Sequence, residues 1–374
     1  MLGAYHPPNA LTVQPHLRSS VDAILSREHS RAKRPIGRIA GAMHRKGRKM
    51  IGVYIPGGSA QQFIDSIKAA EAKGIPSFWL TSGGPSPDVI TVFAAAAVQT
   101  SKIKMGTSIT QTWPRHPVAI ASQCIAMSQI APGRFRIGLG SSHKPAVEAM
   151  YGVEYVKPLL NLREYLFTVQ SLLKKGEVDF SGTFVKTTTK LGAGPGNFRL
   201  EAPIDVPVMA SALRPASFRL CGELADGAIS WVCPWEYLRD TALPAMREAA
   251  TDAGRATPPL VAHMPVVLSD DIETVRAAAG PALSRYAGLT NYRGMFEIAG
   301  FHDAAGGDLN ALIDAVAIYG NDEQVAGRLG QVISEGAGEI IAHQLPVSPD
   351  GIAEQTERFL EVVARANKLA GVAV

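Results

Sequence analysis

The chain has 374 residues, is 46% hydrophobic and 19% charged, and carries a formal net charge of +4. That length suits one large α/β barrel or two domains, and the composition is that of a globular protein rather than a disordered or fibrous one. No run of about 18 apolar residues occurs, which excludes a transmembrane helix, and residues 1–49 hold no secretory apolar segment. The basic excess is concentrated between Arg27 and Lys49, against the single acid Glu28. The remainder is therefore slightly acidic, and neither nucleic acid nor a membrane is an expected partner. The three cysteines lack CxxC spacing. Cys124 and Cys221 fall on helix faces as small hydrophobes, which fits a reducing cytoplasm.

In chain order, residues 1–49 read as a poorly ordered basic extension, with a functional basic arm as the alternative, and residues 50–374 as the folded domain. Ile51 to Ile55 is a strand. The box Ser59-x-x-Gln62 then starts a helix with the apolar face Phe63, Ile64, Ile67 and Ala70, which Gly74 stops. Phe78 to Leu80 is the second strand, followed by a helix through Val89 to Val98. Ile103 to Ile109 is the third, breaking into the polar run Thr110-Gln111-Thr112. Pro117 suits the first turn of the next helix, where its missing N–H costs nothing. Ile120, Cys124, Met127 and Ile130 recur there at helical spacing.

Arg134 to Leu139 is strand four and runs into Gly140-Ser141-Ser142-His143. The fourth helix shows the face Leu159, Leu162, Leu166, Val169 and Leu173. An interruption, Gly176 to Pro203, is expected to contain a small hairpin around Ser181-Gly182. Val206 to Ala210 and Ala228 to Val232 are strands five and six, each with a helix after it. Val261 to Leu268 is strand seven, with Ile272 to Tyr286 as its helix. A second insertion covers Ala287 to Ala311, then a helix runs from Glu323 to Glu335. Ile340 to His343 is strand eight, closed by a helix from Ile352 to Ala370.

Eight β/α units point to a closed (β/α)8 TIM barrel, with insertions after helix 4 and around helix 7. The first turn, Pro56-Gly57-Gly58-Ser59, lacks the G-x-G-x-x-G spacing of a dinucleotide fold. In a barrel the working residues lie just beyond each strand. Here they are Gly-, Ser-, Thr- and Trp-rich, and few are ionisable. His143, His263 and His343 are too scattered for a hydrolytic metal site, so no metal is expected. The nearest lysine, Lys144, sits in a glycine-rich setting unsuited to Schiff-base chemistry, and no strand end pairs a serine with an acid. What remains is a bed for a planar cofactor that does the chemistry itself. Ser211-Ala212-Leu213-Arg214-Pro215 leads into a helix N-terminus, where backbone N–H groups, the helix dipole and Arg214 favour a phosphate; a plain capped turn is the alternative.

The run GTSI…RHP…RFRIGLG, with PVMASALRPASFRLCGELADGAISW, resembles the bacterial luciferase-like superfamily. Gly140-Ser141-Ser142-His143-x-Pro145, Leu162-Arg163-Glu164-Tyr165-Leu166 and Tyr292-Arg293-x-Met295 are similar to its F420-dependent oxidoreductase branch. The resemblance runs from about Met50 to the C-terminus. It implies that coenzyme F420, or FMN in relatives, binds at the C-terminal ends of the strands. It also implies a non-proline cis peptide at Ser108–Ile109 behind the ring, with Thr110, Gly140 and Ser141 beside it. The phosphate falls on Ala212 to Ala216, next to Ser211. Many members have Gly-Pro where this chain has Arg214-Pro215, so an arginine contact is expected there.

Glucose-6-phosphate-oxidising relatives carry a histidine and a tryptophan after strand two and a lysine after strand six. The corresponding loops here read Thr81-Ser82-Gly83-Gly84 and Cys233-Pro234-Trp235, so that activity is not expected. The acid those relatives place after strand four is absent unless Glu148 folds back. His143 is the candidate proton-handling residue, with hydrogen bonding to cofactor or loop as the alternative. His263 is expected to be structural, and His343 lies at a strand end within reach of a substrate. The expectation is thus a cytoplasmic F420-dependent oxidoreductase acting on a small organic molecule, and family members are often homodimers. The alternatives are an FMN-dependent monooxygenase, or a flavin- or deazaflavin-binding barrel without turnover.

Overall fold

The computed structural model describes residues 49–84, 86–190 and 203–372. Apart from Lys49, the expected basic extension therefore lies outside the described residues, as does part of the first interruption.

Parallel strands buried on both faces need near-continuous apolar runs, and those runs form the barrel. Its strands are β1 (Met50–Tyr54), β2 (Ser77–Leu80), β3 (Lys104–Thr107), β5 (Phe135–Gly140), β8 (Val208–Ser211), β9 (Ala228–Trp231), β10 (Leu260–Val267) and β12 (Glu339–Gln344). They pair in parallel in that order, β12 pairs with β1, and β9 with β10 completes the ring. A two-residue β4 (Thr110–Gln111) continues the third unit and pairs with β5. The expected eight-stranded barrel is the observed one.

The helices carry the expected start signals. Ser59 Oγ accepts from Gln62 N at 3.2 Å while Gln62 Oε1 accepts from Ser59 N at 3.0 Å, opening α1 (Ala60–Ala72). Asp88 caps α2 (Val89–Ala97), and Pro117 opens α3 (Pro117–Ile130). A short α4 (Lys144–Tyr151) precedes α5 (Pro158–Lys175). On α5 the buried face adds Tyr165 and Leu172, whereas Leu159, in the first turn, is 37% exposed and not part of it.

The expected hairpin is β6 (Glu177–Ser181) with β7 (Lys186–Lys190), antiparallel. It is pinned to α5 by the buried Glu164 carboxylate, which accepts from the N–H groups of Thr183, Phe184 and Val185 at 2.8, 2.7 and 3.0 Å. Next come α6 (Pro215–Glu223) and a long α7. In α7, Trp235–Tyr237 and Leu243–Asp252 are joined through the π turn Leu238–Ala242.

One assignment changes. Ile272–Ala287 (α8) follows strand seven directly, but it is not that strand's barrel helix. Its last turn puts Tyr286 against Trp231 and His143, at the mouth. With α9 (Thr290–Ile298), α10 (His302–Gly306) and α11 (Leu309–Val316) it forms one larger insertion. The chain re-enters the barrel through β11 (Ile318–Tyr319), beside β10. The seventh barrel helix is α12 (Asp322–Glu335), packed on the final α13 (Ile352–Leu369).

Inside the barrel the side chains stack in layers, as closed eight-stranded barrels require. At the strand starts, buried Glu339 accepts from Ser77 Oγ at 2.6 Å and Trp79 Nε1 at 2.8 Å, and both its oxygens pair with the Arg136 guanidinium. Above it Trp79, Met209, Ile229, Val261 and Ile341 form an apolar plug. The Trp79 ring fills the space that a side chain at Gly106 would take, since a Cβ there would lie 2.4 Å from it. The third layer, at the strand ends, is the floor of the mouth.

Candidate active site

The floor divides into two halves of different chemistry. On β3, β5 and β8 its inward positions are small. A Cβ built on Gly140 would stand 2.5 Å from Ser211 Oγ and 2.8 Å from Ile109 Cγ1, so Ile109, Gly140 and Ser211 meet at one point. One level down, a Cβ on Gly138 would fall 2.1 Å from Thr107 O and 2.5 Å from Ile229. At Gly138 a backbone carbonyl lies where a side chain would otherwise be, and at Gly140 the side chains of Ser211 and Ile109 fill that place.

The Ser108–Ile109 peptide is cis, at the position the resemblance indicates. Around it Thr81 Oγ1 donates to Ser108 O at 2.7 Å and Ser82 N donates to Ile109 O at 3.0 Å. Thr112 Oγ1 then donates to Asn161 Oδ1 at 2.7 Å, so the segment is held from both sides. Two hydroxyls on it, Ser108 Oγ and Thr110 Oγ1, are buried without a partner among the described residues. A buried polar atom left this way calls for an external one. Ser141 differs: its hydroxyl donates to Pro158 O at 2.9 Å and its carbonyl accepts from Trp113 Nε1 at 2.9 Å, so its side chain is already engaged.

The turn after β8 is more occupied than its sequence suggests. Ser217 Oγ accepts from the N–H groups of both Leu213 (2.9 Å) and Arg214 (3.1 Å), and donates to Arg214 O at 2.7 Å. Ala212 N donates to Ile229 O at 2.9 Å, and Pro215 has no N–H. Helix geometry leaves the first-turn N–H of Ala216 as a backbone donor. The exposed Arg214 side chain is the charged one, and its guanidinium packs beside Gly294 of α9.

The other half of the floor is made of rings. Tyr54, Trp231 and His343 lie at the upper ends of β1, β9 and β12, and His263 lies in the middle of β10. The Tyr54 ring is 4.1 Å from that of His343, and Trp231 stacks on His343 at 4.9 Å and 27°. His263 Nε2 and His343 Nδ1 are 3.0 Å apart and share a hydrogen bond. Val232, just after Trp231, is β-branched yet has φ of 52°, a costly conformation for such a residue.

His143 faces the insertion, its ring 5.8 Å from Tyr286 and 5.7 Å from Tyr292. Burial, then the nearby Arg285 charge, pulls its pKa down to about 4. At neutral pH it is therefore a neutral imidazole, able to accept a proton or hold a hydrogen bond but not present as an acid. Burial lowers His343 to about 3 and holds His263 well below its usual value. Glu148 does not fold back as an active-site acid: Oε1 accepts from Tyr155 N at 3.2 Å and lies 3.9 Å from Lys144 Nζ.

The structure thus brings Ser108, Ile109, Thr110, Gly140 and Ser211 together and sets Ala212 to Ala216 just beyond them. The ring half, especially Tyr54, Tyr286 and Tyr292, was missed in the sequence as a unit. The available signal was the two-residue alternation along the strands, Ile341 to His343 and Ile229 to Trp231, which carries the plug upward to the floor.

Comparison with known proteins identifies the family and the fold. The family described as luciferase-like monooxygenase matches residues 40–339. A 5,10-methylenetetrahydromethanopterin reductase of Methanopyrus kandleri is 30% identical over 217 residues, covering 54% of this chain and only 60% of that reductase. An F420-dependent glucose-6-phosphate dehydrogenase of Nakamurella multipartita is 30% identical over 239 residues, 59% of this chain and 68% of its own. Among solved structures, the coenzyme F420 dependent tetrahydromethanopterin reductase from Methanopyrus kandleri superposes with a TM-score of 0.64 at 24% identity, over 85% of this chain and 97% of that one. The oxygenating constituent of 3,6-diketocamphane monooxygenase from Pseudomonas putida, in complex with FMN, gives 0.65 at 20% identity, over 87% and 99%. The described residues contain no helix long and apolar enough to cross a membrane. With its barrel, its small-residue bed and a match over most of its length, the chain belongs to the luciferase-like monooxygenase family of oxidoreductases.

Proposed function

We propose that the protein is an F420-dependent oxidoreductase that exchanges hydride between the deazaflavin and a small organic substrate. The observation that carries this reading is the small-residue half of the floor. Ser108, Thr110, Gly140 and Ser211 keep bulky side chains off this half and leave Ile109 as the surface for a flat ring, and two buried hydroxyls, Ser108 Oγ and Thr110 Oγ1, have no hydrogen-bond partner among the described residues. When bound, the deazaflavin supplies a two-electron hydride carrier.

The chain's own residues then have separable tasks. Ile109 and Gly140 form the surface under the ring, with Ser108, Thr110 and Ser211 at its polar edge. Ser141 holds the loop in place through Pro158 and Trp113. The phosphate goes to Ala212–Leu213–Arg214–Pro215–Ala216, and Arg214 supplies the charge because Ser217 already occupies two of the backbone donors. His143, neutral at working pH and a weak base, accepts a hydrogen bond from the substrate hydroxyl rather than storing its proton. Glucose-6-phosphate oxidation is not proposed, since Thr81–Gly84 and Cys233–Trp235 contain neither the histidine nor the lysine such relatives carry.

Titrating the purified protein with F420 and separately with FMN, followed by fluorescence, tests the reading. F420 binding that survives air is expected. Tight FMN binding with indifference to F420 refutes it in favour of the monooxygenase. F420 binding without turnover on any electron acceptor or donor favours a barrel that only senses its cofactor.

A further inference from the structure

The ring half of the floor has no task in the scheme above. Tyr54, Trp231 and His343 are half-buried, so each keeps some accessible surface, unlike side chains that only fill a core. Their rings sit at stacking distances from one another, and Tyr286 closes the group edge-on to Trp231 at 5.9 Å. Both halves rest on the same apolar plug, against which Tyr54 and Ile109 both pack. The rings therefore lie beside the bed, at its level.

The electrostatics of this wall are spare. Among the described residues Arg285 is the charged group that acts on Tyr54, His143 and Tyr292, and no carboxylate does. Arg285 is itself engaged, with Nη2 donating to Tyr286 Oη at 2.6 Å and its guanidinium 4.8 Å from the Tyr286 ring centre. Among the described residues a cationic substrate finds no counter-charge acting on these groups, and Arg285 is exposed, so it offers an anion only a solvent-screened attraction. Stacked rings instead reward a flat, polarisable, uncharged body.

Within the wall, the His263–His343 hydrogen bond fixes the orientation of His343. Its Nδ1 is taken by the deeply buried His263, so Nε2 is the nitrogen left to meet a ligand. Which nitrogen of the pair carries the shared proton decides whether His343 Nε2 donates or accepts.

We propose that this wall is the substrate subsite, that its substrate is a planar, uncharged ring compound bearing a carbonyl or hydroxyl, and that His343 Nε2 hydrogen-bonds that oxygen. His263 acts as a positioning residue for His343. The assignment rests on the reading of the opposite half as the cofactor bed.

Calorimetric titration of the free and the F420-saturated protein with 2-acetonaphthone, naphthalene, 2-naphthoate and 2-dodecanone tests it. The naphthyl ketone is expected to bind about tenfold more tightly than the alkyl ketone or the naphthoate, the scale of an added ring-stacking contact. Trp231→Ala should erase that preference. Trp231→Leu, which keeps apolar bulk, covers the case in which the alanine variant does not fold. His343→Gln should weaken the ketone about fivefold or more while leaving naphthalene unchanged, the mark of a lost hydrogen bond. Equal or tighter binding of 2-dodecanone or 2-naphthoate, or a ring preference untouched by both Trp231 variants, overturns the proposal. Failure of F420 to bind while the ring preference persists on the free protein sinks only the cofactor reading. F420 binding without any ring preference sinks only the subsite.

Discussion

Gly140→Ala is the smallest change that reaches the centre of the proposed bed. Gly140 does not have a positive φ, so its backbone accepts alanine and the effect is steric alone. The new methyl would stand 2.5 Å from Ser211 Oγ and 2.8 and 3.0 Å from Ile109 Cγ1 and Cδ1. Ordinary carbon contacts are about 3.5–4.0 Å, so Ile109 must retreat by about 1 Å. Ser211 escapes by one torsion, but Ile109 also packs on the Trp79 plug and has less freedom. Overpacking of this kind costs about 1–3 kcal/mol. Whatever share of it lifts the surface under the ring should appear as lost cofactor affinity, roughly tenfold for each 1.4 kcal/mol. Fluorescence titration with F420 and FMN reads the affinity, and urea unfolding reads the stability. Adding Ser211→Gly removes the closest contact, so it should restore stability more than affinity. A folded Gly140→Ala protein that binds cofactor like the parent refutes the placement of the ring over Ile109.

Arg214→Ala should weaken either cofactor by about 1.5–3 kcal/mol, a hydrogen bond to a charged group, and make binding less salt-sensitive; unchanged affinity removes Arg214 from the site. Glu339→Gln leaves Arg136 buried without its counter-charge and should cost about 3–5 kcal/mol in urea unfolding, whereas a neutral result means that water reaches the barrel bottom. Glu164→Ala frees three backbone N–H groups of the hairpin turn, and limited proteolysis should then cut near Thr183 first. The pH dependence follows from the lowered pKa values of His143 (about 4) and His343 (about 3). Below the ordinary histidine value near 6.5 the unfolded chain binds these protons and the folded one does not, so stability is full above about pH 6.5 and is lost as pH falls toward 4. His343→Gln should flatten that acid limb of the urea midpoint, and an unchanged slope contradicts the buried neutral state.

Much of the barrel was legible because its signals are local. Buried parallel strands leave continuous apolar runs, Ser59 and Gln62 announce a helix start, and Pro117 another. The Ser108–Thr110 segment, with its cis peptide, was visible as a strand breaking into small polar residues. What stayed hidden depends on where chain segments return. Ile272–Ala287 has the amphipathic pattern of any barrel helix, and nothing in that pattern says that Tyr286 ends at the mouth. The charge state of His143 depends on burial by the insertion and on Arg285, far along the chain. Ser217 looked like an ordinary first-turn residue, yet its hydroxyl occupies the donors that sequence alone assigned to phosphate.

The two halves of the floor are also separated along the chain. The small-residue half and its anchoring turn come from residues between Lys104 and Ala216, while the rings, Tyr54 aside, follow Ala228. On the proposed placement of the cofactor, a lineage can retain its redox partner while drifting toward new chemistry in the C-terminal portion alone. For an engineer the same division marks a crossover point between α6 and β9: a C-terminal half from another member, grafted there, should exchange the molecule being transformed and leave the electron carrier in place.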